Sequence, residues 1–109
     1  MSSDAGPVLE IVHFRIDPRA VVPFAECARE AFGLLAGVEG CVSHDLKRSV
    51  EEPSLFALII EWVLRVDLNR FREAAAHHPF QELLSRHLLQ AEVYHFADAS
   101  GSGQDVDWA

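Results

Sequence analysis

Polar residues interrupt the apolar ones of this chain in two different rhythms, and each change of rhythm marks an element. From Val8 to Ile16 the chain is apolar almost throughout, broken only at Glu10, His13 and Arg15. Counted by twos, Val8, Val12, Phe14 and Ile16 fall on one side, and Leu9, Ile11, His13 and Arg15 on the other. Apolar groups on both sides predict a strand that is covered on both faces. Asp17-Pro18 then reads as a helix start, with Asp17 as the cap and Pro18 where a missing N–H costs nothing. From Ala20 to Leu35 the spacing turns helical, through Val21, Phe24, Ala28, Phe32 and Leu35, and Gly37 and Gly40 supply the stop.

Cys41 to Arg48 alternates loosely and predicts a second strand. Leu55 to Val63, apolar except at Glu61, is the strongest strand signal in the chain, and the Glu51-Glu52-Pro53-Ser54 turn makes the two a hairpin. Asp67 is the candidate cap of a second helix from Leu68 onward. Leu68, Phe71, Ala74 and Ala75 form one stripe, and Phe80, Leu83, Leu84 and Leu88 form another, with a break expected near His78-Pro79. Ala91 to Phe96 closes the pattern as a fourth strand, and a polar Ser/Gly tail follows. The domain is therefore expected over residues 8–98, between a flexible start (1–7) and a flexible end (99–109).

The order β-α-β-β-α-β is that of a ferredoxin-like α+β sheet with two helices on one face. The other face is left bare although its residues are apolar. A two-fold homodimer pressing sheet against sheet would cover it with one self-complementary contact. Composition agrees, since a chain of 109 residues that is 50% hydrophobic has more apolar surface than one small core takes in. The net charge of -8 makes nucleic acid and anionic membrane surfaces poor partners. No apolar run reaches the ~20 residues of a membrane span, and the start carries no basic and apolar leader, so a cytoplasmic protein is expected. Cys27 and Cys41 have no metal-ligand spacing and read as buried free thiols. There is no glycine-rich phosphate loop, zinc motif or nucleophile elbow.

The segment Gly40-Cys41-Val42-Ser43-His44-Asp45-Leu46-Lys47-Arg48-Ser49, with Glu52-Pro53 after it, resembles the stretch that antibiotic biosynthesis monooxygenase domains carry after their first helix. Leu58-Ile59-Ile60-Glu61-Trp62 is similar to their third strand, Phe71-Arg72 through His78-Pro79-Phe80-Gln81 to their "Phe … Pro-x-Phe" stretch, and Glu92 to Phe96 to their closing strand. The resemblance implies a dimeric α+β barrel with a pocket between each sheet and its helices. Among its members are cofactor-independent oxygenases of anthrones or quinols, and haem-degrading enzymes.

Carried over residue by residue, it makes Trp62 a pocket residue able to stack on a flat substrate and donate one hydrogen bond. Leu58 stands where the anthrone oxygenases carry Asn, and Leu68 lies near the place of a missing Tyr. Leu84 occupies the place of the haem ligand, which leaves His77 or His78 as the substitutes for a haem or metal binder. His44 shares a face with Trp62 if the hairpin aligns Val42, His44 and Leu46 with Leu58, Ile60 and Trp62; it is then the natural general base.

The expected function is a monooxygenase that needs no cofactor and no metal. His44 and Trp62 would be its catalytic residues, with Leu58, Phe71, His77, Phe80 and Arg86 around a small aromatic, quinol- or anthrone-like substrate. A non-catalytic dimeric ligand-binding or stress-response module is the alternative.

Overall fold

The computed structural model of the protein describes residues 6–99. Its first strand, β1 (Val8–Ile16), has the bounds its alternation predicts. Asp17 accepts a hydrogen bond from the Arg19 N–H at 2.9 Å and caps a short 3₁₀ turn, Pro18–Ala20, rather than the helix itself. The first α-helix, α1, follows at Val21–Gly33. The hairpin is β2 (Cys41–Arg48) and β3 (Leu55–Trp62).

The second helical region is two pieces, α2 (Arg65–Glu73) and α3 (His77–Ser85), as the expected break implies, so three α-helices of the described residues cover the sheet. The break falls at residues 74–76, not at His78-Pro79. Pro79 lies in the first turn of α3, where a proline removes no intrahelical bond. Asp67 is likewise not the residue before the helix. It stands in the first turn of α2 and reaches back to accept the Leu64 N–H at 3.2 Å. The last strand, β4 (Leu88–Ala97), takes in Leu88, which helical spacing alone places on α3. The expected flexible start and end fall almost wholly outside the described residues.

The strands form one antiparallel sheet in the order β2-β3-β1-β4, the ferredoxin-like arrangement. Register sets which side chains meet. Val8, Glu10, Val12 and Phe14 stand opposite Trp62, Ile60, Leu58 and Phe56, and all eight face the helices. The core gathers there: Trp62, Phe24, Ala28 and Ala31 are fully buried, and Phe14, Phe24 and Phe56 pack ring to ring at 4.9–5.6 Å. Each such large side chain taken out of water contributes about 1.5–3 kcal/mol.

A β-bulge between Cys41 and Ser43 inserts one residue into β2, so Cys41 rather than Val42 lies opposite Trp62. The outer face of the sheet carries Leu9, Ile11, Ile59, Tyr94 and Phe96, and no helix among the described residues lies over them; Tyr94 and Phe96 are 41% and 51% exposed. Among the described residues no helix is long and apolar enough to cross a membrane.

Candidate functional site

Between α3 and the inner face of the sheet lies a cavity of about 190 Å³. Val12, Phe14, Leu58 and Ile60 form its floor, and Phe80 and Leu84 of α3 its roof. Ala91 and Val93 of β4 make the open side. Polar groups enter at two places. His77, Gln81 and Ser85, spaced by four residues along α3, form one stripe at its rim. Glu10 enters from the floor.

Glu10 is the residue that patterning alone passes over, a carboxylate on the inner face of a central strand. Its side chain is 14% exposed. The Trp62 indole N–H donates to Glu10 Oε1 at 3.2 Å. On the other side His95 Nε2 lies 3.5 Å from Glu10 Oε2, and the same nitrogen lies 2.8 Å from Arg72 Nη2. A guanidinium only donates, so when His95 is neutral its Nε2 accepts from Arg72 and its proton sits on Nδ1. Protonated, the ring becomes a cation beside the Glu10 carboxylate. Trp62, Glu10, His95 and Arg72 thus form one chain of contacts running from beneath the cavity to the surface.

Trp62 is itself buried behind Glu10, against Phe71 at 5.7 Å, and does not line the cavity. Phe71 fills the space between Trp62 and Phe80 and stands edge-on to His77 at 5.4 Å. Leu58, His77 and Phe80 do line the cavity. Arg86 does not: it lies just beyond α3 and makes two bonds to Glu82, at 2.8 and 3.0 Å, which raise its pKa and lower that of Glu82.

His44 faces the helices opposite Ile60, but it packs against the Phe32 ring of α1 at 4.6 Å, at the far edge of the sheet. Its buried Nδ1 has no partner. The cavity therefore lies on the β1 and β4 side of the core and His44 on the β2 side. The two cysteines are free, and burial, helped by the charge of Glu10, pushes the Cys41 thiol up. Among the described residues no three His, Cys, Asp or Glu side chains gather as a metal site, and His78 lies beside His77 at the start of α3.

Residues 7–83, most of the chain, match the family model of antibiotic biosynthesis monooxygenases. The chain belongs to that family. A curated relative, the uncharacterised protein YczJ of Bacillus subtilis, is 29% identical over 77 residues, covering 69% of this chain and 81% of its own length. Among solved structures, SnoaB from Streptomyces nogalater, a cofactor-independent oxygenase crystallised as a point variant, superposes with a TM-score of 0.79 at 19% identity. The match covers 87% of this chain and 95% of SnoaB. A conserved protein from Methanosarcina mazei gives 0.78 at 16% identity, over 88% of this chain and 96% of its own. At such identities the shared property is the fold. This antibiotic biosynthesis monooxygenase family member thus has the ferredoxin-like α+β architecture that its element order predicts, and its substrate is a matter for the site.

Proposed function

We propose that this family member is a cofactor-independent monooxygenase for a small aromatic quinol, bound under α3, with Glu10 as general base. The observation that carries this is the Glu10 carboxylate, largely shielded from water, in the wall of a cavity whose floor is otherwise apolar and held by the Trp62 indole. A cavity of about 190 Å³ suits a one-ring substrate better than a tricyclic anthrone, since a void near ~150 Å³ already holds benzene.

The chemistry needs little from the protein. Glu10 removes a phenolic proton, and the electron-rich ring then reduces dioxygen. One oxygen atom joins a ring carbon in place of hydrogen and the other leaves as water, so quinol plus O₂ gives hydroxyquinone plus H₂O. Trp62 is a positioning residue, holding the carboxylate through Oε1. His44, packed away against Phe32, has no part in this scheme.

Oxygen-electrode assays with one-ring quinols and an anthrone test the reading. Consumption is expected to exceed the spontaneous rate with the one-ring substrates. Trp62→Phe should lower kcat roughly tenfold with little change in KM, because it removes a hydrogen bond to a charged group of about 1.5 kcal/mol and keeps most of the ring. Saturable quinol binding without oxygen uptake would replace this reading with that of a ligand carrier, which Leu58, apolar on the cavity floor, favours.

The protein further acts as a homodimer through the outer sheet face, where Leu9, Ile11, Ile59, Tyr94 and Phe96 form an unbroken apolar surface. Light scattering is expected to give twice the chain mass of 12.1 kDa, and Ile11→Asp to give the single chain mass.

A further inference from the structure

A second cavity, about 90 Å³, lies between α2 and the end of β4. Its helical wall is one face of α2, because Arg65, Leu68, Asn69 and Arg72 follow each other at the i, i+3, i+4 and i+7 positions. Leu68 is buried at the base, and the other three hold the rim. His95 and Ala97 face them from β4. The lining therefore carries two guanidiniums, one amide and one imidazole, and no carboxylate.

That is unusual for a chain with 17 acidic and 9 basic residues. Arg15, Arg19, Lys47, Arg70 and Arg86 each stand within 4 Å of a carboxylate oxygen. Arg72 instead donates to the His95 ring, so its positive charge is not cancelled by its partner. A guanidinium has five N–H donors in a planar fork, and that bond uses one of them.

We propose that this cleft binds a small oxyanion, a carboxylate or an inorganic tetrahedral anion, and that His95 couples its occupancy to Glu10. At about 30 Å³ per water the cleft has room for three waters, which an anion of four or five heavy atoms would replace. Arg72 supplies the fork, with Arg65 and the Asn69 amide on the same helical face. His95 is the switch. An anion in the cleft favours the imidazolium, which then has the anion on one side and the Glu10 carboxylate, at 3.5 Å, on the other. The charged groups facing His95 are Arg72 and Arg65 from α2, which oppose its protonation, and Glu10 from β1, which favours it. Anion binding therefore takes up a proton and tightens as pH falls. The proposal does not rest on the oxygenase reading, since binding is measured without turnover.

Calorimetric titration of the full chain with sulfate and, separately, acetate tests it. Sulfate does not titrate in this range, so any pH dependence belongs to the protein. At least one probe is expected to bind saturably, roughly tenfold tighter at about pH 5.5 than at about pH 8. Arg72→Met should weaken binding at least tenfold, Arg72→Lys less, and Arg86→Met, just beyond the next helix, not at all. His95→Asn should keep binding and lose its pH dependence. In a Trp108→Phe background the fluorescence of Trp62, bonded to Glu10, should shift with occupancy. Failure of both anions to saturate, or Arg72→Met binding as wild type, would overturn the site. Unchanged pH dependence in His95→Asn would overturn the coupling.

Discussion

Replacing Glu10 by glutamine is expected to lower kcat for quinol oxygenation by about 10²- to 10⁴-fold, the usual contribution of a positioned general base. The substitution is nearly isosteric, and the amide oxygen it introduces can still accept the Trp62 N–H, which the carboxylate takes at 3.2 Å. The cavity should keep its shape and KM should change little. What is lost is the lone pair that takes the proton. A rate within a few-fold of wild type under saturating quinol would remove Glu10 from the mechanism. Circular dichroism and the melting temperature should stay close to wild type, which separates this result from unfolding.

Gly40→Ala should have the largest effect on stability, a loss of about 2–4 kcal/mol, with the melting temperature lowered by roughly 10–20 °C. Two causes add. Gly40 has φ +86°, where a side chain costs about 1–2 kcal/mol. A Cβ there would also fall on the Asp67 carboxyl group. Asp67 is 6% exposed and accepts from the Leu64 N–H and from Arg70 at 3.0 Å, so it cannot give way without uncapping α2. Gly33, the last residue of α1, is the matched control, because a Cβ there meets nothing within 4 Å and the backbone needs no positive φ. Gly33→Ala should be neutral or stabilising by about 0.5–1 kcal/mol. Thermal melts should therefore show a clear loss in the first variant and none in the second.

Much of this fold is legible in the residue pattern, for identifiable reasons. The bounds of β1 and β2 follow from alternation and from the punctuation of Asp17-Pro18 and Gly40. The element order alone then selects the sheet. The helical break is displaced from its expected place because Pro79 signals a discontinuity but not on which side of it. Residues 74–76 end α2 by turning Ala74 to extended backbone, a choice no alanine announces.

The candidate site is harder to read from the chain. Leu58, His77 and Phe80 lie on the cavity by simple position in their elements. Glu10 interrupts an apolar run and so reads as noise. Its meaning comes from Trp62, 52 residues away, and from His95, three strands on in sequence. His44 shows the converse. Its face follows from hairpin register, but which helix covers that part of the face depends on packing, and Phe32 of α1 packs against its ring there.

The alternation of β1 has a consequence for how this protein can change over generations. Every second residue of this central strand turns toward the helices, Glu10, Val12 and Phe14 lining the cavity, and those between turn toward the outer face. One inserted or deleted residue within Leu9–Ile11 would exchange the two sets, sending Glu10 to the outer surface and an isoleucine into the cavity. Chemistry and assembly would fail together in a single event. Length variation should therefore be purged from this strand and collect in the turns at residues 34–39 and 49–54, while substitutions on either face of β1 remain free to tune one property at a time.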